Sequence, residues 1–99
     1  DRSIRLDDKE RTMVSQTITL TNGSGLHMRP AGVLASAMAP FASDVTIVAA
    51  GKEVNAKSLM AIVAAGIKCG TEIEVRCEGA DEQAALDAAI QLIESGLGE

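Results

Sequence analysis

The stretch Glu72–Glu78 (EIEVRCE) alternates without interruption: Ile73, Val75 and Cys77 point one way, Glu72, Glu74, Arg76 and Glu78 the other. Successive side chains of a strand face opposite sides, so this segment belongs to a sheet that is dry on one face and wet on the other. Such a sheet needs covering on one side only. The covering material is restricted, because Phe41 is the only aromatic residue and there is no Tyr or Trp. Ala, Val, Ile, Leu and Met must fill the core, which suits thin layers of helix packed closely on the sheet. The 99 residues suffice for one such domain.

The remaining elements follow from the switch between period two and period 3.6. In Ser15–Thr21, Ile18 and Leu20 share a face between threonines, which predicts a half-buried strand. Asn22-Gly23-Ser24-Gly25 then reads as a loop. From Met28 to Ala39 the spacing of Ala31, Leu34, Ala35 and Met38 predicts a helix that Pro40 ends. Val45–Ala49 and Lys52–Asn55 read as strands joined at Ala50-Gly51. Ser58 precedes a short helix with Leu59, Ile62 and Val63 on one side and Gly66 as its stop. Asp81 is placed to cap a last helix whose stripe is Leu86, Ala89, Ile90, Ile93 and Leu97. The expected fold is α+β: an open-faced β-sandwich in which three helices cover one face of a four-stranded antiparallel sheet, in the order βαββαβα.

Charge narrows the range of partners. Residues 1–12 hold four acids (Asp1, Asp7, Asp8, Glu10) against four bases (Arg2, Arg5, Lys9, Arg11), so the formal −5 resides entirely in the rest. We read 1–12 as a tail, a linker or an added segment, and 13–99 as the domain. An acidic domain repels phosphate backbones, and a sheet that read RNA would need aromatic platforms, so no nucleic acid is expected. Cys69 and Cys77 form no CxxC pair and have no histidine at ligand spacing, so no metal is expected. No apolar run approaches the roughly 20 residues that span a bilayer, and no secretory pattern leads the chain. The expected location is the cytoplasm, with no membrane insertion.

The single histidine has an unusual setting. In Gly25-Leu26-His27-Met28-Arg29-Pro30-Ala31 it stands where a glycine-rich loop becomes a helix. A helix start exposes unpaired N–H groups and roughly half a positive charge, both favourable to a phosphoryl group. Pro30 suits the first turn, where its missing N–H would have had no partner. Arg29 adds a fork of donors matched to phosphate oxygens. A nucleophilic nitrogen, open amides and a guanidinium together suit phosphoryl transfer. A polar cap and a solvated charge are the plainer readings of the same two residues.

GLHMRPA (25–31) resembles the active-site signature of the HPr family, the histidine-containing phosphocarriers of the bacterial sugar phosphotransferase system. Asn55-Ala56-Lys57-Ser58-Leu59-Met60 resembles that family's second landmark, followed by Gly66, Gly70-Thr71-Glu72-Ile73 and Glu78-Gly79-Ala80-Asp81-Glu82. The resemblance spans 14–97. It implies that His27 accepts a phosphoryl group on Nδ1 from phosphorylated enzyme I and passes it to a sugar-specific enzyme IIA. In this reading Arg29 assists transfer, Pro30 shapes the site, and Ser24 with the amides of Met28 and Arg29 stabilises the helix start and the phosphoryl oxygens. The family often has a small or polar residue at position 28, so Met28 enlarges the apolar contact area. No cofactor is implied. Such a carrier is a substrate of both transfers rather than a stand-alone enzyme.

Ser58 carries two readings. It is placed as an N-cap, worth about 1 kcal/mol, and it matches a serine that an ATP-dependent HPr kinase phosphorylates in many members of the family. Met60, with Leu59, is expected as an apolar docking patch beside His27, core packing being the alternative for Leu59. A single copy is expected, since the His27 face must stay open to alternating partners. Three rivals stand beside the carrier reading: a regulatory HPr-like binding protein, a metabolite-sensing domain, and an HPr domain of a multi-domain or nitrogen-branch protein.

Overall fold

The computed structural model of the chain describes residues 13–21, 23 and 25–97. The charged segment 1–12 and Ser24 lie outside them, so the readings placed on those residues do too.

Four strands form one sheet: β1 (Met13–Thr19), β2 (Asp44–Ala49), β3 (Lys52–Asn55) and β4 (Glu72–Glu78). Their spatial order is β1-β4-β2-β3 and every neighbouring pair is antiparallel. β4 therefore runs up the middle, between two strands that precede it in the chain. Its Ile73, Val75 and Cys77 are buried, as the alternation required. β1 begins two residues earlier than its apolar pattern indicates, because Met13 and Val14 pair with Glu78 and Cys77. At its other end Leu20 leaves the strand, donating to the Thr71 carbonyl at 3.0 Å and accepting from the Gly70 amide at 2.9 Å.

Helices α1 (Met28–Met38), α2 (Leu59–Ala65) and α3 (Glu82–Glu94) cover one face. α3 lies over β1 and β4, α2 over β3, and α1 rests between the other two helices. Ala31, Leu34, Ala35 and Met38 of α1 are buried, as are Ala85, Leu86, Ala89, Ile90 and Ile93 of α3. Each fully buried aliphatic side chain contributes about 1.5–3 kcal/mol, so this apolar layer is what holds helices to sheet. α2 is too short to bury a full stripe: Ile62 is buried, whereas Leu59 and Val63 are half-buried. Ala50 and Gly51, at φ 52° and 80°, make the tight β2–β3 turn. Gly66, at φ 64°, ends α2 in the left-handed conformation.

One local expectation is corrected. Asp81 occupies the N-cap position of α3 but makes no side-chain cap bond. Its carboxylate instead accepts from the Ala42 and Ser43 amides, each at 2.9 Å, and from the Ser43 hydroxyl. Ser43 is fully buried, and a buried hydroxyl needs a partner more than an exposed helix start needs a cap. Asp81 thus ties the α1–β2 loop to the start of α3.

Candidate functional site

His27 is the N-cap of α1, with extended backbone (φ −78°, ψ −172°). Its carbonyl accepts the first helical bond, from Ala31 N–H at 2.8 Å, while its side chain makes no cap bond. The imidazole is exposed. Among the described residues the Met28 and Arg29 amides have no hydrogen-bond partner, and Pro30 has no N–H to satisfy. The positive end of α1 thus opens directly beside an imidazole that has no hydrogen-bond partner among the described residues. Arg29 is exposed and pairs with no described carboxylate, so its guanidinium is available. Pro30 is buried against the core and anchors the first turn.

The loop before His27 is positioned by the end of α2. Leu26 N–H donates to the Ile67 carbonyl at 2.8 Å. Gly25, at φ +64°, sits so close that a Cβ there would lie 2.6 Å from the Ile67 carbonyl oxygen and 2.8 Å from Lys68 Cα. At the opposite end of the helix pair, Lys57 Nζ donates to the Phe41 carbonyl at 2.6 Å. The N-terminus of α1 therefore lies against the end of α2, and the start of α2 against the loop following α1. Sequence reasoning placed Gly25 in the loop and the signature but gave it no packing role, and did not single out Ile67. A glycine in a flexible-looking loop carries no mark of the segment packed upon it.

The second landmark forms the start of α2. Ser58 is its N-cap, and its Oγ accepts the Ala61 N–H at 3.2 Å, so the capping reading holds. Asn55 Oδ1 accepts Lys57 N–H at 2.9 Å and the Asn55 carbonyl accepts Ser58 N–H at 3.1 Å, which fixes where the helix begins. Met60 is 69% exposed and Met28 59% exposed, an unusual outlay for large apolar side chains. Leu59 is half-buried and packs against the core. His27, Met28, Arg29 and Pro30 thus share the first turn of α1, and Ser58, Leu59 and Met60 the first turn of α2. No hydrogen bond joins the two groups among the described residues. No helix among those residues is long and apolar enough to cross a membrane.

Comparison with known proteins agrees with the motif and the fold. Residues 14–95 match the family described as the PTS HPr component phosphorylation site. The phosphocarrier protein HPr of Xylella fastidiosa strain Temecula1 is 39% identical over 87 residues, covering 88% of this chain and 98% of that one. A crystal structure of HPr-C-His from Thermoanaerobacter tengcongensis superposes with a TM-score of 0.83 at 38% identity, covering 87% of this chain and 97% of that one. A multiphosphoryl transfer protein of Escherichia coli O157:H7 is 38% identical over 90 residues, which are 88% of this chain but 24% of that protein. The chain belongs to the HPr phosphocarrier family.

Proposed function

We propose that this chain carries a phosphoryl group on His27 Nδ1, taken from phosphorylated enzyme I and delivered to a sugar-specific enzyme IIA. The observation that carries the reading is the exposed imidazole at the N-cap of α1, which, like the amides beside it, has no hydrogen-bond partner among the described residues. In the forward step a nitrogen–phosphorus bond forms at His27 as the donor's bond to phosphorus breaks. The helix start and Arg29 neutralise charge on the three phosphoryl oxygens, and Pro30 holds the turn in place. Ser24 and the Met28 and Arg29 amides complete this cradle in our reading. Delivery reverses the step on the acceptor. Met28, Met60 and the exposed part of Leu59 supply an adaptable apolar surface for both partners. The transferring unit is the single chain, since His27 must meet donor and acceptor in turn.

Ser58 serves as cap and, in this proposal, as a regulatory site for a serine kinase. A phosphate there would add nearly two negative charges to the helix bearing Met60 and weaken docking of acidic partners. The similarity to about a quarter of a multiphosphoryl transfer protein supports a second setting, as one domain of a longer carrier. A regulatory binding protein is disfavoured because the histidine is present.

Intact mass after incubation with phosphoenolpyruvate and enzyme I tests the reading. One acid-labile phosphoryl group is expected on the wild type and none on His27→Ala. No gain on the wild type with several sources of enzyme I would overturn it.

A further inference from the structure

After residue 12 the bases of this acidic chain are Arg29, Lys52, Lys57, Lys68 and Arg76. Arg29 belongs to the carrier site. Lys57 Nζ is taken by the Phe41 carbonyl, and Arg76 pairs with Glu74 at 3.2 Å and with Glu53 at 3.5 Å. Lys52 and Lys68 are left over, and neither side chain has a partner among the described residues. Both line one cavity of about 150 Å³, between the β2–β3 turn and the segment that follows α2.

Strand alternation keeps carboxylates out of this cavity. Lys52 shares a face of β3 with buried Val54, whereas Glu53 faces the other way and reaches Arg76. Thr71, which also lines the cavity, stands two residues before buried Ile73, and Glu72 between them is turned to the open face. No Asp or Glu lines the cavity, in a chain of formal charge −5. Its floor is apolar: Ala49 and Ile67 are buried and Ala65 is half-buried. The Ile67 and Lys68 amides have no hydrogen-bond partner among the described residues. Amides of buried residues are ordinarily satisfied, so that of Ile67 calls for an acceptor. One ammonium offsets the carbonyl end of α2. The other, the two amides and the Thr71 hydroxyl remain for a ligand.

Sites for drug-sized molecules run from about 300 Å³ upward, so this cavity admits only a small one. Ammonium groups and adjacent amides suit phosphate oxygens, and the apolar floor suits a short carbon chain. We propose that the cavity binds a short-chain phosphate monoester, its phosphate between Lys52 and Lys68 and its carbons against Ala49, Ala65 and Ile67. The ligand is bound and not transferred, so the site is independent of phosphoryl chemistry at His27. Ile67 and Lys68 also receive Leu26 and Gly25, so an occupant lies against the segment leading into His27. Both lysines are exposed, so binding is weak, with a Kd of about 1 mM that rises with salt.

An amide NMR titration of the full chain with glycerol 3-phosphate tests this. The Leu26, Gly66, Ile67 and Lys68 amides should shift together and saturate. Lys52→Gln and Lys68→Gln should each weaken binding severalfold, and together about tenfold, with no change in melting temperature. Arg76→Gln, an equal loss of charge on the open face, should leave the affinity unchanged. Inorganic phosphate should bind about tenfold more weakly, which separates the ester from the free ion. Shifts confined to Met28 and Arg29 would place the probe at the carrier site and overturn the proposal. Equal weakening by Arg76→Gln would do so too, by revealing general charge attraction. Equal affinity for inorganic phosphate, or no saturable shift up to about 20 mM, would also overturn it.

Discussion

Leu26 and Ile67 are joined through their backbones at 2.8 Å, and this bond holds the segment in front of His27 against the turn that ends α2. It couples two segments that lie some forty residues apart in the chain. The proposed phosphoryl transfer would require the imidazole and the helix amides to be held in place before a partner arrives, and this contact restrains the segment leading into them.

Gly25→Ala should therefore be costly. The substitution strains a left-handed residue and drives a methyl group against the backbone of Ile67 and Lys68. A loss of roughly 2–3 kcal/mol is expected, with slower phosphorylation of His27. Gly66→Ala has a nearly identical φ but open space around it, so about 1 kcal/mol is expected there. Urea unfolding of both variants checks the difference, and equal losses would mean that the close approach contributes nothing.

Asp81 makes stability depend on acid. Hydrogen bonds from the Ser43 hydroxyl and the Ala42 amide lower its pKa in the folded state. The stabilisation is complete above the unfolded value of about 3.9 and is lost as pH falls through the lower folded value. Melting curves between pH 6 and about pH 2 should show the wild type converging on Asp81→Asn at the acid end. Parallel curves would exclude the contribution.

The two thiols should differ in reactivity. Cys77 is buried, and desolvation together with Glu82 and Asp81 pushes its pKa up to about 11, so at pH 8 it is almost wholly the unreactive thiol. Cys69 is exposed. A disulfide reagent should titrate one thiol per native chain and both after unfolding. Rapid reaction of both in the native protein would show that β4 opens readily.

Ser58 and Met60 separate stability from docking. Ser58→Ala removes the bond to Ala61 N–H and should lower stability by about 1 kcal/mol without abolishing phosphorylation of His27. Met60→Glu changes an exposed side chain, so the melting temperature should hold while the KM of enzyme I for this substrate rises about tenfold, or about 1.4 kcal/mol. An unchanged KM would remove Met60 from the docking surface.

The order of elements and the one-sided sheet were legible in the sequence, because periodicity records which side of each element is dry. The βαββαβα order, the buried face of α1 and the ends of β3 and β4 follow from spacing alone. His27, Met28, Arg29 and Pro30 share one turn, so their juxtaposition is local and equally readable. Strand order is different. Nothing in the alternation of Glu72–Glu78 states that β4 enters between β1 and β2, since both neighbours offer the same apolar face. Only the closed packing of three helices on four strands selects that arrangement. The same holds for the reach of Asp81 to Ser43 and the fit of Gly25 against Ile67, contacts across about forty residues that arise when distant backbones are brought within van der Waals range. Local chemistry determined the elements and the candidate nucleophile, and tertiary packing decided what holds them still.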